Sequence, residues 1–114
     1  MHLETSSVRC AIASAMHLYY AWPHMHLLGK SFEGVIYRAG GSTEPLLDVP
    51  VWDFNHQIGQ AVDIDVEAGD ALGITCTWWN GTDTYVLPGP RTTDEMCQAG
   101  FIAWPAVGAL CPSI

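Results

Sequence analysis

The sequence predicts an all-β domain, a sandwich or barrel of six to eight short strands, from three observations. β-Branched and aromatic residues gather in short runs, as in residues 71–79, ALGITCTWW. Such side chains fit a pleated, half-buried surface. The runs are separated by Gly, Pro, Asn and Asp at short, regular spacing, which is the punctuation of turns. Hydrophobic residues make up 49% and charged residues only 14%, with 11 Gly and 7 Pro. That composition suits a turn-rich β fold and excludes a disordered chain.

Taken in order, residues 18–28 are aromatic and apolar, broken only by Pro23 and two histidines. They read as strand, with Pro23 at an edge or bend. A helix over residues 8–20 competes, because Ala and Met are good helix formers. Residues 34–38 form a strand, 39–42 a turn, and 45–49 lead back. Residues 51–57 and 60–66 give two more short strands. In the second, Asp63 and Asp65 alternate with Ile64 and Val66, as on a half-exposed strand. Residues 68–70 turn the chain into the 71–79 strand. Residues 80–96 carry Pro88 and Pro90 and read as an irregular loop, and 101–104 is the last strand. Asn80-Gly81-Thr82 matches the glycosylation acceptor pattern, but Asn-Gly is equally a turn signal, and the turn is the preferred reading. There is no repeat, heptad or low-complexity tract.

The 114 residues fit a single domain spanning 1–114. A chain of this size buries roughly two thirds of its unfolded surface, enough for a real core. The formal net charge of -8 repels phosphate backbones and argues against nucleic acid as a partner. No apolar run is long enough for a membrane-spanning helix. The four cysteines, Cys10, Cys76, Cys97 and Cys111, include no C-x-x-C pair, which disfavours a zinc ribbon. Two disulfides in an extracellular or periplasmic protein are expected, with three connectivities open; four buried thiols in a cytosolic protein are the alternative. The N-terminal segment does not resemble a signal peptide. Arg9 is its only basic residue before an apolar stretch that Ser14 and His17 interrupt. Export therefore implies a signal removed or lying upstream.

The sharpest local feature is His24-Met25-His26. On a strand, residues i and i+2 share a face with Cα atoms about 6.5 Å apart, so both imidazoles can converge on one metal while Met25 points into the core. Two histidines on one face are also a common way to make a polar surface. The second feature is Met96, in Thr93-Asp94-Glu95-Met96-Cys97. It reads either as a hydrophobic plug beside a disulfide or as a thioether ligand, and thioether sulfur favours copper, above all Cu(I).

Residues 22–32, WPHMHLLGKSF, resemble the copper-ligand strand of the copper type II, ascorbate-dependent monooxygenases. This is the family of dopamine β-hydroxylase and peptidylglycine α-hydroxylating monooxygenase, and the form here is similar to its bacterial members. Trp52-Asp53-Phe54-Asn55-His56-Gln57, Gly69-Asp70 with Thr75-Cys76, and Asp94-Glu95-Met96-Cys97 follow in the family's order. The resemblance implies an antiparallel jelly-roll sandwich, the C-terminal copper domain of a two-domain enzyme. It implies one copper ion held by His24, His26 and Met96, which binds oxygen and hydroxylates an activated C–H of a small-molecule substrate. Ascorbate is then the external reductant, and a second copper domain held by three histidines supplies an electron. The implied disulfides are Cys76–Cys97 and Cys10–Cys111.

The chain departs from the family in two places. No His-His pair marks the electron-supplying copper site, since the remaining histidines are His2, His17 and His56. Where the peptide-amidating branch places an Arg before the first His, and an Asn and a Tyr after the Met, this chain has Trp22, Gln98 and Gly100. Peptide amidation is not expected. Two functional readings follow. One is the catalytic copper domain or subunit of a monooxygenase, completed by a second copper domain or an oligomer mate. The other is a non-enzymatic copper-binding module for storage, delivery or structural contact. A jelly-roll interaction domain that has lost its metal is a third, opposed by the intact His24, His26 and Met96.

Overall fold

The structure, a computed structural model, describes residues 2–105. These residues form seven strands and no helix: β1 (His2–Ala11), β2 (Met16–His24), β3 (Gly29–Tyr37), β4 (Thr43–Val49), β5 (Gln60–Val66), β6 (Ala71–Asn80) and β7 (Gln98–Trp104). They make two antiparallel sheets, one ordered β1-β6-β3-β4 and the other β5-β2-β7.

The sheets share one core because inward and outward residues alternate along the strands. Met16, Leu18 and Ala21 of β2 and Val66 of β5 face Phe32 and Ile36 of β3, Leu46 and Leu47 of β4, and Leu72, Ile74 and Cys76 of β6 in a single buried cluster. This is the all-β sandwich the composition predicts. β5 and β6 fall within a residue of expectation. Cys76 and Cys97 are bonded, with Cα atoms 5.9 Å apart. The Cys10–Cys111 pairing involves Cys111, which lies outside the described residues.

Three expectations need correction. The helix competing for residues 8–20 does not form. That stretch is split between β1 and β2, because β1 pairs along its whole length with β6, from His2↔Asn80 to Ala11↔Ala71. This partner is sixty or more residues away, and local propensity cannot reveal it. Residues 18–28 are not one strand, since β2 stops at His24. Residues 51–57 are not a strand either. Asp53 closes a turn there, accepting from Asn55 N at 2.9 Å through its side chain and from His56 N at 3.0 Å through its carbonyl. Such Asx turns offer the backbone an alternative to ladder hydrogen bonds.

Pro23 sits at an edge of the β2–β5 pairing, as expected of a strand proline. β5 pairs with β2 only as far as Ala21↔Gln60, so at Pro23 the strand has a neighbour on the β7 side alone. At the opposite end of the sandwich, Asp70 ties two turns together. Its buried carboxylate accepts from Glu67 N at 2.9 Å, Ala39 N at 3.0 Å and Arg38 Nη1 at 2.9 Å. These bonds, led by the Glu67 amide, hold its pKa below the usual carboxylate value.

Candidate metal centre

His24 is the last residue of β2, and His26 lies two residues beyond it. Met25 between them is fully buried, as the alternation predicts, and anchors the segment in the core. His26 is also buried, at 5% exposure, whereas His24 is half-buried on the outer face of its sheet. The two imidazoles approach edge to face, with centroids 5.1 Å apart and planes at 83°.

Each ring is held through the same nitrogen. His26 Nδ1 lies 3.1 Å from the backbone carbonyl oxygen of Asp94. A carbonyl only accepts, so His26 Nδ1 carries the proton and Nε2 keeps its lone pair. His24 Nδ1 lies 2.6 Å from Gln57 Oε1. The Gln57 amide is oriented by its nitrogen, which donates to Phe54 O at 3.0 Å, so its oxygen is the atom that faces His24. Nε2 is therefore the lone-pair nitrogen of His24 as well. Fixing one ring nitrogen by an outer acceptor and leaving the other as donor to a metal is the usual construction of a histidine metal site.

The two segments that supply these acceptors close around the pair. Trp52 Nε1 donates to His26 O at 3.1 Å, and Phe54 meets the His26 ring edge to face at 6.1 Å. Gly29 makes room for Trp52: a Cβ there would lie 2.5 Å from Trp52 Cδ1. On the other side, the Glu95 carboxylate accepts from His26 N at 3.1 Å and Leu28 N at 3.0 Å. Asp94 is buried and grips Arg91, whose Nε and Nη2 lie 3.0 and 2.9 Å from its two oxygens. That pairing is the main reason its carboxyl titrates below the ordinary range.

Met96 is half-buried between two anchored neighbours. Glu95 is bonded to the His26–Leu28 backbone, and Cys97 to Cys76 on β6. The fold thus brings residue 96 to the segment of residues 24–28, a link no spacing rule supplies. Among the described residues, no three His, Cys, Asp or Glu side chains cluster as a metal site. Two imidazoles whose Nδ1 atoms are engaged leave their Nε2 atoms as the nitrogens that could meet a metal ion such as copper.

The other histidines stand apart, each beside a carboxylate. His2 Nε2 is 2.6 Å from Glu4, and His56 Nδ1 is 2.9 Å from Asp53. His17 lies between Asp65 and Asp63, 2.6 Å from each, and hydrogen bonding to Asp65 leads in raising its pKa. The Asn80 amide is engaged in a local turn, donating to Thr84 O at 2.9 Å and accepting from Thr82 N at 3.0 Å, as the turn reading expects.

Gln57, Glu95, Trp52 and Phe54 are the supporting residues that reasoning from motifs leaves without a role. For Trp52, Phe54 and Gln57 the signal is present as Pro50 and the Asp53-x-Asn55 pattern, which mark residues 50–57 as a loop able to fold over a site.

The chain matches the family model described as copper type II ascorbate-dependent monooxygenase, C-terminal domain, over residues 2–112. No curated protein matches the chain. The match covers nearly the whole sequence, and the H-x-H segment and the D-E-M-C loop meet in the fold. The chain belongs to the copper type II ascorbate-dependent monooxygenase family, as its C-terminal domain.

Proposed function

We propose that this domain holds one copper ion through His24, His26 and Met96 and serves as the oxygen-activating half of a monooxygenase. The observation that carries the reading is the shared orientation of the two imidazoles, whose Nδ1 atoms face Gln57 Oε1 and Asp94 O. Copper bound there would supply the redox chemistry that activates O₂ for hydroxylation of a substrate C–H, with ascorbate as the outside reductant. The chain's own residues do the rest. Gln57 and the Asp94 carbonyl orient the rings, Glu95 binds the Met96 loop to the histidine segment, and Phe54 and Trp52 shield His26 from water. Under the same reading the domain is the jelly roll of its family, Cys10 pairs with Cys111, and the protein works in an oxidising, extracellular or periplasmic compartment.

One copper ion delivers one electron, and hydroxylation consumes two. The second comes from another copper domain, an oligomer mate or ascorbate. The alternative of a non-enzymatic copper module draws on one observation. Among the described residues, His2, His17 and His56 are scattered and each lies beside a carboxylate, so they make no second histidine pair.

Competition titration with a Cu(I) chelator tests the site. The wild type takes up one equivalent, and His24→Ala, His26→Ala and Met96→Ala each lose at least about tenfold in affinity. Unchanged affinity in these variants overturns the ligand set. Product formation with ascorbate and O₂, by the domain alone or only with a second copper protein, then separates enzyme from module.

A further inference from the structure

The four-stranded sheet carries on its outer face a groove of about 320 Å³, formed by β6, β3 and β4. It lies across the core from His24, which belongs to the other sheet. Alternation and register make its floor of short hydroxyl side chains. Thr75 and Thr77 of β6 alternate with the buried Ile74 and Cys76 and so face outward. On β3, Ser31 stands opposite Thr77 and Glu33 opposite Thr75. On β4, Asp48 stands opposite Glu33, and Val49 and Pro50 continue the wall. β1 steadies the floor from the other side. Ser7 Oγ lies 2.9 Å from Thr75 Oγ1, and Thr5 Oγ1 lies 3.3 Å from Thr77 Oγ1.

Glu33 and Asp48 are exposed carboxylates placed directly opposite one another on neighbouring strands. Like charges in that position repel and destabilise the pair. Elsewhere the chain answers its acids. Arg38 meets Glu44 and Asp70, Arg91 meets Asp94, and His17 meets Asp63 and Asp65. Among the described residues, no Lys, Arg or His forms an ion pair with Glu33 or Asp48. Arg9, the outward cation of β1, lies over Tyr37 instead, 3.6 Å from its ring centroid. No third His, Cys, Asp or Glu joins the two carboxylates as a metal site among the described residues, and calcium takes six or more oxygens. A primary ammonium asks for less. It carries three donors on one nitrogen, which two carboxylate oxygens and one hydroxyl satisfy.

We propose that this groove binds the primary ammonium of a free aliphatic diamine or polyamine, held between Glu33 and Asp48 with the Thr75 hydroxyl as third acceptor. The aliphatic chain then runs along the wall at Val49 and Pro50. The formal net charge of -8 favours a ligand that carries a second positive charge. The site stands apart from the histidine pair and does not depend on the copper reading.

The test titrates the full ¹⁵N-labelled chain, without added copper, with cadaverine, pentanediol and glutarate. These probes share one chain length and end in ammonium, hydroxyl and carboxylate groups. The backbone amide resonances of Ser31, Val49 and Thr77 are the reporters, and all three exist in every variant. Cadaverine is expected to shift them and to bind at least about tenfold more tightly than either other probe. Glu33→Gln and Asp48→Asn should each weaken cadaverine by about five- to tenfold, and Thr75→Val by about threefold. Asp63→Asn removes the same charge from the other sheet and should leave binding within about twofold. The melting temperatures of Glu33→Gln and Asp48→Asn should equal or exceed that of wild type, because each relieves a like-charge opposition. Equal binding of pentanediol or glutarate overturns the site. So does cadaverine binding unchanged in both Glu33→Gln and Asp48→Asn, or weakened as much by Asp63→Asn as by Glu33→Gln. Displacement of cadaverine by an equal concentration of Ca²⁺, or tighter binding of Nα-acetyl-lysine amide, overturns the free amine in favour of a metal ion or a peptide side chain.

Discussion

At the scale of single residues, one hydrogen-bond acceptor decides which nitrogen of a histidine is available. Gln57 is such an acceptor for His24, and its own amide is oriented by the Phe54 carbonyl. Replacing it by Leu leaves His24 Nδ1 without its acceptor and lets both tautomers populate. Gln57→Leu is expected to lower Cu(I) affinity by about 10- to 100-fold, whereas Gln57→Glu keeps an acceptor and most of the affinity. The competition titration reads both. His24, His26 and Met96 are legible in the sequence because each belongs to a short motif. Gln57 is not, because its role depends on a contact across 33 residues.

At the scale of elements, two groups at the end of the sandwich away from His24 respond oppositely to pH. Asp70 pins the turn between β5 and β6 to the one after β3, and its folded pKa is depressed. Its contribution is present above the unfolded carboxylate value and is lost as pH falls through the folded one. His17 on β2 has a raised folded pKa between Asp63 and Asp65. Its contribution is full below the unfolded value of 6.5 and disappears as pH rises through the folded one. Thermal melts across pH should therefore show Asp70→Asn reducing the loss of stability in acid, and His17→Gln flattening the decline above neutrality. An acid limb unchanged in Asp70→Asn would count against the first assignment. The strands β5 and β6 and the second half of β3 were readable from alternation and turn residues. β1 was not, since its Glu, Thr and Ser residues become a strand only by pairing with β6.

At the scale of the whole molecule, the Cys76–Cys97 disulfide joins the core to the loop that carries Met96. It closes a span of 21 residues, and loop-closure entropy puts its contribution at about 3 kcal/mol. For a domain of this size that corresponds to a fall in Tm of about 10–15 °C on Cys76→Ser/Cys97→Ser substitution. The same double variant frees the loop beyond Glu95, and Cu(I) affinity is expected to fall with it. Calorimetry and the chelator titration check the two effects separately. A copper affinity unchanged by loss of the disulfide would show that Glu95 and Asp94 hold the loop alone.

The sequence by itself determined the all-β class and most of the turns, and the family resemblance of two short motifs singled out three candidate ligands. Alternation, turn chemistry and short motifs are all written in neighbouring residues. Tertiary structure decided that residues 51–57 fold over the histidines as a loop, that Glu95 and Asp94 bond to the His26 segment, and that the Trp22 indole rests on Gly100. Each joins chain positions far apart, and the energy of such a contact exists only once the sandwich has brought its two ends together.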